Sequence, residues 1–160
     1  MDWNLEQDRG RSWADGVAWL TAKHPDWAAQ IAAYDLRWEE MVSGSIAQSV
    51  AMLEALKDSG RKVYAITNFS AEKLAVSCPR FPFLMRFDGM IVSGEEKLLK
   101  PDPAIYHRLF ERYGLLPEAC VFIDDSAQNI VAAQALGMKT VHFGAVTDLR
   151  AELVAHGVQI

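Results

Sequence analysis

Thr67 and Asn68 close the β-rich run Val63-Tyr64-Ala65-Ile66, and Asp124 and Asp125 follow the uninterrupted apolar run Cys120-Val121-Phe122-Ile123. Lys100 stands between them in the chain, directly ahead of Pro101-Asp102-Pro103. Taken singly, each group has an ordinary explanation as a helix cap or a solvated charge. Two adjacent carboxylates after a buried strand are less ordinary, because they repel one another and lose hydration unless a cation compensates them. Oxygen ligands of this kind suit Mg²⁺. A hydroxyl, an amide, a fixed ammonium and a carboxylate-held Mg²⁺ at one sheet edge would together make a phosphate site. The cations would neutralise charge on a transferring phosphoryl group, and the hydroxyl would hydrogen-bond one of its oxygens. Thr67, Asn68 and Lys100 are therefore the candidate phosphate-binding residues. Asp125 and Asp124 are the candidate metal ligands, and Asp124, Asp125 and Lys100 the candidate catalytic groups.

Such a convergence needs elements that end together. From Ser45 onward, helical and strand patterns alternate. Ile46, Val50, Leu53 and Leu56 form one helix face, with Gly60 where a C-terminal cap belongs. Short strands are expected at Val63–Thr67, Gly89–Val92, Cys120–Ile123 and Thr140–Phe143, and helices near Ala71–Val76, from Pro103 to Gly114, at Asn129–Leu136 and around Asp148–His156. Short, non-alternating strands separated by helices predict an open parallel sheet covered on both faces. In such sheets ligands bind outside the carboxyl ends of the strands, which is where the candidate residues lie.

The first quarter of the chain reads differently. It holds all five tryptophans, Trp3, Trp13, Trp19, Trp27 and Trp38. Residues 12–43 are expected to be wholly helical, with a capping box at Ser12 and Asp15 and a break at His24-Pro25. Trp27, Ile31, Tyr34, Trp38 and Met41 recur at helical steps as one packing stripe.

Composition narrows the function classes. The chain has 160 residues, 51% of them hydrophobic, with 21 acidic against 16 basic residues and a net charge of −5. No basic face is available to grip nucleic acid or an anionic membrane, and no apolar run approaches the length of a membrane span. Cys78 and Cys120 are too few for a disulfide framework or a zinc cage, so a reducing, cytoplasmic setting is expected. His24, His107, His142 and His156 show no metal-ligand spacing.

Over residues 45–145 the sequence resembles the core of the haloacid dehalogenase-like hydrolase superfamily. Val63-Tyr64-Ala65-Ile66-Thr67-Asn68 is similar to its second motif, Lys100-Pro101-Asp102-Pro103-Ala104-Ile105-Tyr106 to its third, and Val121-Phe122-Ile123-Asp124-Asp125-Ser126-Ala127-Gln128-Asn129-Ile130 to its fourth. The resemblance implies a Rossmann-like α/β core over residues 45–160 and a helical cap-like segment over 1–44. It also implies a Mg²⁺-dependent phosphatase acting on a small phosphorylated substrate, with Asp125 the direct metal ligand and Asp124 supporting it.

The same resemblance implies a first motif, Asp-x-Asp after a buried strand, whose first carboxylate attacks phosphorus. No aspartate of this sequence forms that pair, and Phe87-Asp88-Gly89 echoes it only ahead of a strand. The chain is thus expected to begin inside the cap, lacking the nucleophile and a central strand. Val63–Ile66 and Cys120–Ile123 should then each want a neighbour, unless the two close up on one another. Unpaired strand edges invite another chain, so an oligomer is expected, in its simplest form a homodimer burying the tryptophan-bearing helices. Two functions remain open. One is a phosphatase of altered mechanism, using a water activated by the metal ion or a carboxylate recruited from Asp125 or the N-terminal helices. The other is a non-catalytic remnant that serves as a binding or oligomeric scaffold.

Overall fold

Apolar runs too short for a helix become strands here, and the computed structural model, which describes residues 3–160, has four of them among those residues: β1 (Tyr64–Thr67), β2 (Gly89–Val92), β3 (Val121–Asp124) and β4 (Lys139–His142). Around them lie α4 (Ala47–Asp58), α5 (Ala71–Arg80), α6 (Ser93–Glu96), α7 (Pro103–Tyr113), α8 (Ala127–Ala135) and α9 (Leu149–Ala155). The local signals act as their chemistry requires. The Asp102 side chain caps α7 by accepting from the Ala104 N–H, and Gly114 closes the helix in the left-handed region at φ 63°.

Strand pairing is parallel throughout, but it is divided. β1 pairs with β2 from Tyr64↔Gly89 to Thr67↔Val92, and β3 pairs with β4 from Val121↔Lys139 to Asp124↔His142. Among the described residues no strand ladder joins β1 to β3. The expected single sheet is therefore corrected to two parallel ribbons. β1 and β3 have not closed up on each other, and each has one unpaired edge.

Side chains, not sheet hydrogen bonds, span the division. Alternate strand residues point to opposite faces, so each face has its own core. On one face Ile91, Ile105, Tyr106, Leu109, Phe122, Ile130 and Ala133 pack together, with Tyr64 and Ile66 against them. On the other, Met52, Leu56, Val141, Leu149 and Leu153 take in Val63, Val121 and Ile123. The first cluster draws on both ribbons, and the second joins β3 and β4 to Val63, the residue ahead of β1. Full burial of side chains such as Ile105 and Phe122 contributes about 2 kcal/mol each, so these helix layers are ample to hold two ribbons in one body.

The N-terminal segment is less continuous than its pattern predicts. α1 (Trp3–Asp8), α2 (Trp13–Lys23) and α3 (Ala28–Leu36) are separate helices, with 3₁₀ turns at Pro25–Trp27 and Trp38–Met41. Met1 and Asp2, part of the expected 1–44 segment, lie outside the described residues. The Ser12 cap forms, its hydroxyl oxygen accepting from the Asp15 N–H, and His24 ends α2. The break at His24-Pro25 forms as expected, but the second helix does not run unbroken to Met41, because a contact with the core wins over periodicity. Lys73 on α5 donates to both the Asp35 carboxylate at 2.5 Å and the Asp35 carbonyl at 3.2 Å, taking hold of the end of α3. The stripe is correspondingly half used. Trp27, Tyr34 and Met41 stay 60%, 41% and 51% exposed, while Trp38 packs edge-on against Phe69.

α5 and the turn into α6 are the seats for this segment. The Trp13 backbone N–H donates to the Glu72 carboxylate, and Arg80 donates to the carbonyls of Glu39 and Val42. The approach at Gly10 is close enough that a Cβ there would lie 2.6 Å from the Gly94 carbonyl oxygen.

Candidate functional site

Because the strands run parallel, their carboxyl ends gather at one edge. Thr67 ends β1, Ser93 follows β2 and Asp124 ends β3, and the loop ahead of α7 brings Lys100 to the same place. The Lys100 ammonium donates to Asp124 Oδ2 at 2.6 Å, with the two side chains only 13% and 5% exposed. Asp124 Oδ1 accepts from the Ser126 N–H and from Asn129 Nδ2, both at 2.9 Å. Asn68 grips the lysine's backbone from the other side. Its Nδ2 donates to the Lys100 carbonyl at 2.9 Å, and its Oδ1 accepts from the Lys100 N–H at 2.8 Å. Lys100 is thus fixed at both main chain and ammonium, which is what a cation needs to act as a preorganised charge.

The electrostatics follow from this geometry. Burial pushes the Asp124 carboxyl up, but hydrogen bonds from Lys100, Ser126 and Asn129 outweigh it and hold the group below the usual carboxylate value. Asp124 is therefore ionised at neutral pH. Burial, aided by the negative charge of Asp124, pushes the Tyr106 phenol well above its ordinary value. It remains a neutral donor to the Asn129 carbonyl at 3.2 Å, steadying the residue that steadies Asp124.

Two groups at this edge are unspent. The Thr67 hydroxyl and the Asp125 carboxylate have no hydrogen-bond partner among the described residues. Asp125 is exposed, and its backbone carbonyl is held by His142 Nε2 at 2.9 Å. That places His142 on the strand edge as a support. For Mg²⁺ the donor chemistry matches: hard oxygens on a carboxylate that faces solvent. Among the described residues no group of three or more His, Cys, Asp or Glu side chains is clustered for a metal. Asp125 is the group that could be a direct ligand, since both Asp124 oxygens are already engaged.

Ser93 and Asn129 extend the site beyond its sequence-derived residues. Ser93 is fully buried. Its Oγ accepts from the Phe69 N–H at 2.8 Å and donates to the Asp8 carbonyl at 2.6 Å, joining the loop after β1 to the end of α1. Its signal was its place directly after a strand, the same signal that marks Thr67. Asp88, the echo of a nucleophile motif, lies away from this edge. It stands ahead of β2, where its carboxylate accepts from Lys57, Lys62 and the Val63 N–H.

A sequence model of haloacid dehalogenase-like hydrolases matches residues 2–137. The chain belongs to that family. The stretches that carry the resemblance bring Asn68, Lys100 and Asp124 together at the carboxyl edge. Among curated relatives, the chain is 32% identical over 103 residues to the sesquiterpene phosphatase astK of Aspergillus oryzae, covering 60% of this chain and 49% of that protein. It is 30% identical over 97 residues to the phosphorylated carbohydrates phosphatase of Thermotoga maritima, covering 61% of this chain and 44% of that protein. The chain thus spans about half the length of the curated relatives it matches. Among solved structures, the family enzyme bt-2542 of Bacteroides thetaiotaomicron, crystallised with magnesium and inorganic phosphate, superimposes with a TM-score of 0.77 at 25% identity over 92% of this chain and 78% of that one. Among the described residues no helix is long and apolar enough to cross a membrane.

Proposed function

We propose that the carboxyl edge binds the phosphoryl group of a small phosphomonoester and that the protein is a Mg²⁺-dependent phosphatase of altered mechanism. The observation that carries this is the Lys100 ammonium, held 2.6 Å from Asp124 and clasped by Asn68, beside the unspent Thr67 hydroxyl and Asp125 carboxylate. Thr67 donates to one phosphoryl oxygen, and Lys100 balances charge on another. Asp124 and Asn68 position Lys100. Asp125 would hold Mg²⁺, which supplies further neutralisation of the phosphoryl charge when bound. That the relative of 25% identity was crystallised with magnesium and phosphate supports the same assignment.

No Asp-x-Asp pair stands in the sequence, and Asp88 is engaged elsewhere. In this reading the attacking group is a water activated by the metal ion or a carboxylate recruited from Asp125 or the N-terminal helices, and turnover is slow without a positioned acid. A second reading, a phosphate-binding scaffold without catalysis, is favoured by the ties of both Asp124 oxygens to Lys100, Ser126 and Asn129. Hydrolysis of an activated aryl phosphate with and without Mg²⁺ separates the two. Activity lost on chelation and in Asp125→Asn supports the phosphatase. Phosphate-induced thermal stabilisation without turnover supports the scaffold. Activity indifferent to both treatments rules out this site.

The chain is also proposed to be a cytoplasmic homodimer, with the exposed Trp27, Leu36 and Met41 of the N-terminal helices at the contact. Sedimentation showing a monomer at micromolar concentration would remove that part.

A further inference from the structure

The ladder between β3 and β4 stops one residue short of Asp125. Its last register pair is Asp124↔His142, and the bond from the Phe143 N–H to the Asp124 carbonyl, at 2.9 Å, closes it. The peptide that joins Asp125 to Ser126 lies past that bond, yet it is held at both ends. Its carbonyl oxygen, that of Asp125, accepts from His142 Nε2 at 2.9 Å. Its N–H, that of Ser126, donates to Asp124 Oδ1 at 2.9 Å. A carbonyl can only accept, so the ring carries a proton on Nε2. A peptide unit is planar, and two bonds on opposite sides leave it little freedom to turn. His142 is itself steadied. Its carbonyl accepts from the Thr147 hydroxyl at 3.4 Å, and the same hydroxyl oxygen accepts from the Gly144 N–H at 2.9 Å.

The two aspartates depend on this peptide unequally. Asp124 keeps Lys100 and Asn129 whether or not the Ser126 N–H stays in place. The Asp125 carboxylate has no hydrogen-bond partner of its own among the described residues, so its direction is set by its backbone. We propose, on the assignment of Asp125 as a Mg²⁺ ligand above, that His142 is a positioning residue: its ring carries the ladder one residue further and thereby aims the Asp125 carboxylate at the ion. Both residues are exposed, so His142 can be replaced without opening the core.

Mg²⁺ titrations read by melting temperature, in the parent, His142→Ala, His142→Gln and Asp125→Asn, test this together with amide hydrogen exchange at Ser126. Losing a group that orients a metal ligand typically weakens the metal about tenfold or more. His142→Ala is therefore expected to raise the Mg²⁺ concentration for half-maximal stabilisation about tenfold and to speed exchange at Ser126. Stabilisation by inorganic phosphate without Mg²⁺ should stay that of the parent. His142→Gln places an amide N–H the same number of bonds from the backbone and should restore both readings. If Asp125→Asn abolishes the Mg²⁺ response but His142→Ala leaves it unchanged, the proposal is overturned. A loss that His142→Gln does not reverse overturns it too, because a donor would then not be what the site needs. If the parent shows no Mg²⁺ response, or Asp125→Asn retains it, the metal assignment falls instead. Ser126 exchange then decides the anchor alone: faster in His142→Ala and restored in His142→Gln, it stands; unchanged, it falls.

Discussion

Two lysine–aspartate clusters brace this fold, and only one of them is placed to do chemistry. Asp124 accepts from Lys100, Ser126 and Asn129; Asp88 accepts from Lys57, Lys62 and the Val63 N–H. Lys57 and Lys100 each stand 2.6 Å from their carboxylate, and both carboxyls are held below their ordinary value, Asp88 chiefly by Lys57 and then by Val63. Considered by distance and charge alone, they are the same device. The difference lies in what stands beside them. Asp88 links α4 and the residues ahead of β1 to the start of β2, and no unspent polar group stands beside it among the described residues. Asp124 sits at the carboxyl edge with the unspent Thr67 hydroxyl and Asp125 carboxylate. A perturbed carboxylate signals a candidate site only when unspent groups surround it.

Mutation can break this comparison. The largest effect is expected from Lys100→Met, which leaves an ionised Asp124 buried without its cation. A loss of about 3–5 kcal/mol in urea unfolding should accompany loss of phosphate-induced stabilisation. Asp88→Ala should cost about 1–3 kcal/mol, through the unpaired Val63 N–H and Lys57 ammonium, while phosphate still stabilises the variant. A phosphate response lost in Asp88→Ala would erase the distinction between the two clusters.

Acid pH probes both together. Each carboxyl binds its proton less readily folded than unfolded. The stability it contributes is complete above the unfolded value of about 4 and is lost as pH falls below that toward the folded value. In Asp88→Asn the decline in unfolding free energy between about pH 4 and pH 2 should be shallower by up to about 1.4 kcal/mol per pH unit, one proton's share. The smallest change in stability belongs to Asp125→Asn. At an exposed carboxylate without a protein partner it should stay within about 0.5 kcal/mol of the parent, yet abolish any Mg²⁺-dependent shift in the melting temperature.

Much of this was legible in the sequence because it depends on local chemistry. The residue that ends each apolar run, the Asp102 and Gly114 caps and the meeting of Thr67, Lys100 and Asp124 at one edge all follow from strand direction and capping. The division between β1 and β3 was readable as well, from the want of an Asp-x-Asp strand, though not whether the ribbons would close up. What escaped was tertiary. The periodicity of Trp27, Ile31, Tyr34, Trp38 and Met41 could not show that Lys73 would seize the end of α3 and divide the stripe. Nor could residue type reveal that Asn68 clasps a lysine's main chain, since an amide after a strand is equally a cap or a ligand-binding donor.

The open edges of β1 and β3 carry one more consequence. In a parallel strand, alternate residues direct their backbone groups to opposite sides. Among the described residues β1 therefore has one side bonded to β2 and the other bonded to no strand, and the same holds for β3 against β4. Amide hydrogen exchange along each strand should then alternate. Protected positions face the paired neighbour, and rapidly exchanging ones face the division. The floor of the site would be rigid in side-chain packing and permeable to solvent deuterium at every second peptide, a combination that an intact sheet does not produce.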